Sequence, residues 1–420
     1  MSLHSRSRRR AIAALAAVAA ASLSPAASSH ADGSSVVLAI IGDTPYGATT
    51  PGGPQAPDGT VFPRLAASIN ADPDVSLVMH LGDIKSGSTP CTDAYFSLVK
   101  DWFNGTNGKG PGLADPLVYT PGDNEWTDCH RANNGAYVPT SNGAVPQGRL
   151  EALRSVFSPT PGQTLGAGAP RTIQTQASMP GFASFVENTS WSDAGVQFGV
   201  VHVVGSNNGA LPWFTQAGQT PQTPAQVADQ AAELTARRAA ALAWIDAIFD
   251  DAVAGNRAAV VLGMQADTWD TSAAGFLTEF DQIVAKIAQR SIAYGKPVLL
   301  LQGDSHTYKV DHPLDGSAGS ASLAALHPYN PSGDPVASPP VPSLTRVVVP
   351  GSNGASPNGL DSWLKLTIDP STPQVFGIQI RSVTAPGTDV PEAPLVLLLS
   401  LSAVVVAGAA LILVRRRQPA

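Results

Sequence analysis

Five apolar runs along the chain each stop at a polar side chain able to hold a cation. These are Asp43, Asp83, Asp123, Gln265 and Asp304, with His306 two residues past the last. Four of the five follow a glycine. One Gly-Asp step is ordinary turn chemistry, but four of them, each closing an apolar run, point to one shared pocket. Two carboxylates about 4 Å apart repel by roughly 4 kcal/mol at an effective dielectric of 20. Four gathered together therefore need cations or shared protons. Two divalent ions would balance them, and paired ions about 3.5–4 Å apart are a recurring device for phosphoryl transfer.

The runs that carry these residues have the continuous apolar character of strands buried on both faces. Strands are expected at 36–41, 75–81, 117–120, 196–204, 258–264 and 297–301, then at 346–349, 363–368 and 375–381. Helical patterns fall at 61–70, 93–103, 148–156, 224–251 and 273–294, and the Pro/Gly/Ser-rich stretch 311–343 reads as a long loop. This alternation predicts an α/β fold of mixed β-sheets flanked by helices. In such sheets the polar residues just past the carboxyl ends of the strands share a crevice. The chain contains no internal repeat.

In order and spacing the polar blocks resemble the calcineurin-like metallophosphoesterase superfamily. That family's pattern is D-x-H, GD, GNH[ED], a lone His and GHxH, each at a strand end. The corresponding blocks here are GDTP at 42–45, GD at 82–83, GDNE at 122–125, Gln265 within VLGMQAD, and GDSH at 303–306. The resemblance covers residues 36–381 and implies an α+β sandwich of the phosphoesterase type with two metal ions. Carried over by position, Asp43 and His306 would bind the first ion and Asp83 both. Asp123, Gln265 and Asp304 would bind the second. Pro45 stands where the family has a ligand His. Asp123 replaces Asn, while Gln265 and Asp304 each replace His. Oxygen ligands favour Mn²⁺, Mg²⁺, Ca²⁺ or iron over zinc.

Within that resemblance Asp83 would hold the attacking hydroxide. Asn124 occupies the place of the His that protonates the leaving group, a role worth about 10²–10⁴-fold. Glu125, His130 or His80 could stand in for it. The plainer roles are orientation of its neighbours for Glu125, a solvated loop for His130 and core packing for His80. Asn207 and Asn208 could reach a phosphate or simply form a turn. Tyr308 and Trp126 could wall the pocket or merely pack. His312 and His327 read as solvated loop residues, and His202 as core.

The two ends carry targeting patterns. A basic stretch, an apolar run and small residues ending at Ala31 have the form of a secretory signal peptide over 1–31. The main domain is expected at 36–385, followed by a linker at 386–393. Residues 394–414 are long and apolar enough to span a bilayer. The basic tail at 415–420 would stay in the cytoplasm, leaving the main domain outside the cell. The segment also resembles a bacterial sorting tail. Cys91 and Cys129 are the only two cysteines. In an exported chain they are expected as one disulfide, with two buried thiols as the alternative.

Net charge is −7, and seven Arg lie in the two ends. Without those seven, 18 basic residues face 32 acidic ones. An acidic outer domain is unsuited to non-specific nucleic-acid binding, so no nucleic-acid partner is expected. Two readings follow. The first is metal-dependent hydrolysis of a small extracellular phosphomonoester or phosphodiester. The alternative is a non-catalytic cell-surface binding module on a degenerate phosphoesterase fold.

Overall fold

The computed structural model describes residues 33–46, 61–131, 134–135, 148–213, 222–272, 277–328, 339–351 and 362–383. The expected signal peptide, linker, membrane span and basic tail lie outside the described residues. Among the described residues no helix is long and apolar enough to cross a membrane.

Two sheets stack face to face. The first runs in the order β12-β11-β1-β2-β3, built from β1 (Val36–Ile41), β2 (Val75–His80), β3 (Leu117–Tyr119), β11 (Ser362–Ile368) and β12 (Phe376–Ser382). The second runs β4-β5-β6-β7-β8-β10-β9. Its members are β4 (Gln174–Thr175), β5 (Thr189–Asp193), β6 (Val196–Val200), β7 (Ala259–Gly263), β8 (Val298–Gln302), β9 (Lys309–Asp311) and β10 (Leu344–Val348). Strands β1, β2 and β3 are parallel, as are β6, β7, β8 and β10. Antiparallel strands close both edges of the second sheet and the β12 edge of the first, whose other edge is the parallel β3.

Strand β1 shows why its sequence is apolar throughout. Val36, Leu38 and Ile40 face the second sheet, packing in one cluster with Phe198, Val261, Leu299 and Val347. Val37, Ala39 and Ile41 face outward onto a second cluster. Successive side chains point to opposite faces, and both faces are dry. The outer layer on that side is α1 (Val61–Asn70), α2 (Asp93–Asn104) and α3 (Arg149–Phe157). On the other side α4 (Pro224–Ala254) and α5 (Asp281–Tyr294) cover the second sheet. The fold is thus α/β, with mixed sheets flanked by helices.

Local chemistry sets the helix ends. Thr92 caps α2 by accepting from the Tyr95 N–H, and Gly105, at φ 65°, ends it. Thr223 and Gln226 form a reciprocal capping box on α4, with Pro224 in its first turn.

Several expected boundaries shift. Strand β6 stops at Val200: the Val201 N–H still bonds the Gly263 carbonyl, but the Val203 N–H turns back to the Val201 carbonyl. Helix α5 begins at Asp281 behind a short turn at Thr278–Phe280, because Leu277, with ψ near 0°, is non-helical. The expected loop at 311–343 contains a short helix, Ala321–Ala324. His327 within it is buried rather than solvated: its ring bonds Asp281 and the Thr268 carbonyl and packs against Trp269.

Candidate functional site

Each parallel strand leaves its sheet at a carboxyl end, and the two sheets present those ends to the same crevice. Asp43, Asp83 and Asp123 follow β1, β2 and β3. Gln265 and Asp304 follow β7 and β8, and the turn after β6 adds Ser206. Asp43, Asp83, Asp304 and His306 all hold φ between 52° and 70°. Non-glycine residues adopt that region at a cost of order 1–3 kcal/mol each, which concentrates at functional sites.

The carboxylates meet. One oxygen from each of Asp83, Asp123 and Asp304 lies within 4.8 Å of the others. A methyl group placed on Gly205 would come within 2.8 Å of oxygens of both Asp123 and Asp304, so only glycine fits between them. Asp43 accepts the Asp304 backbone N–H at 3.1 Å and pairs with His306 Nε2 at 3.2 Å.

Burial governs the electrostatics. It raises the Asp83 carboxyl well above its ordinary value, and the charges of Asp123 and Glu125 push it further. Asp304 is raised in the same way, by burial and then by Asp123 and Asp43. Asp43 is raised by burial, with His306 pulling the other way.

Asp83 is covered by donors. Its Oδ2 receives Asn124 Nδ2 at 2.9 Å, Gln265 Nε2 at 3.1 Å and the Tyr46 hydroxyl at 3.3 Å. Its Oδ1 receives the Asn124 backbone N–H at 3.2 Å. Asn124 Nδ2 also reaches the Tyr46 oxygen at 2.8 Å. Burial holds the Tyr46 pKa well above its usual value, keeping the phenol a donor.

Gln265 departs from its expected place as a cation ligand. Its Oε1 accepts the Gly205 backbone N–H at 2.6 Å, which turns the amide nitrogen toward the cluster. That nitrogen donates to Asp83 Oδ2 and, at 3.3 Å, to Asp123 Oδ1. An N–H group cannot ligate a cation. In this orientation Gln265 does not offer the lone pair that the resemblance assigns to it, whereas Asp83, Asp123 and Asp304 each present an oxygen that could hold a cation.

Glu125 turns away from the crevice, contrary to a direct catalytic role. Its oxygens accept the backbone N–H groups of Gly122, Asp83 and Ile84, and the Tyr119 hydroxyl. It orients the loops that carry Asp83 and Asp123. His130 Nδ1 bonds the Thr127 carbonyl within its own turn, and burial lowers its pKa. Fully buried His80 bridges the Thr44 carbonyl and the Gly82 N–H, with its pKa lowered to about 4 by burial. The two cysteines are joined, tying the loop before α2 to the turn that follows Glu125.

Other residues named from sequence fall outside the cluster. Trp126 is buried against His202, Trp213 and the Arg237 guanidinium. His202 pairs with Glu187 at 2.9 Å in the core. His312 Nδ1 lies 3.3 Å from the Leu344 carbonyl, and Tyr308 is an exposed residue.

Three participants had no sequence signal strong enough to single them out: Tyr46, Lys85 and Ser206. Lys85 Nζ donates to the Asn124 carbonyl, and burial lowers its pKa to about 8. Ser206 donates to Asp123 Oδ2 at 2.6 Å. It lies in a left-handed turn with Asn207 and Asn208, all three at φ near 55°. Glu279 N–H bonds Asn207 Oδ1, and the buried Arg237 bonds both Asn208 oxygens. Both asparagines thus hold the turn. The signal that could have found Ser206 is its place beside Gly205 in the turn that follows β6.

Compared with known proteins, the sequence matches no family model and no curated relative. Among solved structures it is similar to GAP50, the anchor in the inner membrane complex of Plasmodium. The identity is 10% and the TM-score 0.38, over 84% of this chain and 90% of that one. A likeness of that size bears on neither activity nor partners.

Proposed function

We propose that this chain is an exported, membrane-tethered binding module on a metallophosphoesterase-type scaffold, holding one hard divalent cation and turning over no phosphate ester. The cap over Asp83 carries this reading. A carboxylate that bridges two ions and steadies a hydroxide needs open lone pairs. Here Tyr46, Asn124 and Gln265 all donate to a single oxygen of Asp83. Asn124, at the place of the leaving-group acid, has an amide that releases no proton near neutral pH.

The oxygens of Asp83, Asp123 and Asp304 suit Mg²⁺, Mn²⁺ or Ca²⁺. The Cys91–Cys129 bridge is at home in an oxidising compartment, which agrees with the export signal and C-terminal anchor read from the sequence. The partners are the cell membrane, through that anchor, and a surface ligand rather than a nucleic acid.

Hydrolysis of a small phosphomonoester or phosphodiester is the second reading. It is favoured by the left-handed backbone at Asp43, Asp83, Asp304 and His306, where strain gathers as it does in active sites. It requires Gln265 and Asn124 to turn away from Asp83. The test is release of aryl alcohol from mono- and diester substrates with Mg²⁺, Mn²⁺, Ca²⁺ or iron added. The expected rate equals that of Asp83→Ala. Turnover that Asp83→Ala abolishes would establish the hydrolase instead.

A further inference from the structure

We infer that the Gln265 amide is a built-in substitute for a second cation and limits this site to one ion. The inference rests on the single-ion reading above and adds the residue that sets the limit.

Three observations carry it. First, the amide is fixed in orientation. The Gly205 N–H holds its oxygen, and turning it over would set N–H against N–H and oxygen against two carboxylates. It would lose all three hydrogen bonds and leave their buried partners unsatisfied. Second, the side chain is confined. A Cβ on Gly82 would come within 2.7 Å of Gln265 Cγ and 2.9 Å of its Cβ, so the stem already fills the space beside the cluster. Third, the amide bridges. Its nitrogen spans Asp83 Oδ2 and Asp123 Oδ1, giving two carboxylates from different strands the partial positive charge they would otherwise take from an ion between them. The remaining convergence of oxygens, among Asp83, Asp123 and Asp304, is where the one ion of the proposed function would sit.

A side chain without that N–H₂ group should reopen the second position. In Gln265→His the imidazole can offer a lone pair, and in Gln265→Glu a carboxylate replaces the amide. Both remove the charge compensation from Asp83 and Asp123.

The test is equilibrium dialysis of the full-length protein against Mn²⁺ at pH 8, with circular dichroism to confirm folding. One ion per chain is expected for the native sequence, rising to two in Gln265→His. Gln265→Glu serves as the second variant should the imidazole not be accommodated. Two ions in the native protein would overturn the inference. So would a single ion in both folded variants. No ion in the native chain but one in either variant would uphold the role of Gln265 and overturn the single-ion function.

Discussion

The backbone N–H of Asp83 donates to Glu125 Oε1 at 3.1 Å, so one carboxylate behind the cluster fixes the main chain of another within it. The same side chain holds Gly122 N at 2.6 Å, Ile84 N at 3.2 Å and the Tyr119 hydroxyl at 2.9 Å. The loops after β2 and β3 are thereby locked to each other.

Glu125→Ala would strand three backbone donors and a hydroxyl in a dry interior. At roughly 1–3 kcal/mol for each buried unsatisfied group, and with some relaxation, the expected loss is about 3 kcal/mol or more. Glu125→Gln keeps an acceptor and should lose about half as much. Denaturant unfolding of the two variants measures the difference. A loss below about 1 kcal/mol in Glu125→Ala would mean that the loops are held by other contacts.

Stability should depend on pH in a way that a cation changes. Asp83, Asp304 and Asp43 have pKa values raised above those of the unfolded chain. The folded state therefore binds the extra protons. Their contribution is fully present below the ordinary carboxylate pKa and is lost as pH rises through the folded values. A divalent ion replaces those protons, so Mn²⁺ should raise the melting temperature strongly at pH 8 and little at pH 5. At a hundredfold excess over its dissociation constant the gain is about 2.7 kcal/mol. His80 acts in the opposite sense. Its pKa falls from 6.5 unfolded to about 4 folded, so stability declines as pH drops through that window, by about 3 kcal/mol at most. Being buried behind the loops with or without the ion, His80 leaves the Mn²⁺ difference to report the carboxylates. Melting curves with equal Mn²⁺ shifts at both pH values would contradict this.

The bridge between Cys91 and Cys129 closes a loop with a sequence separation of 38. Loop-closure entropy assigns it about 4 kcal/mol. Cys129 follows Glu125 closely, so reduction should weaken cation binding as well as global stability. Thermal unfolding and Mn²⁺ titration with and without reductant check both effects. Loss of stability with unchanged Mn²⁺ affinity would separate the bridge from the site.

The strand ends were legible because burial on both faces leaves an uninterrupted apolar run, and the polar residue that breaks it stands out. Strand β5, with the sequence TSWSD, lacks that signal. It pairs antiparallel with β6 across a tight turn at Ala194 and Gly195, both at positive φ, and some of its buried polar side chains meet tertiary partners. Asp193, for example, meets Arg171 at 2.7 Å. Tyr46 and Ser206 reach the cluster through the path of the backbone after β1 and β6, which composition does not disclose. The identity of Gln265 as a cluster residue was readable from its strand. Its orientation was not, because Gly205, some 60 residues away in sequence, decides which end of the amide faces inward.

Anomalous diffraction from Mn²⁺-soaked crystals tests the central claim most directly. The expected result is one peak among Asp83, Asp123 and Asp304, with Gln265 nitrogen still on both Asp83 and Asp123. Two peaks bridged by Asp83, with the Gln265 amide turned over or displaced, would contradict it.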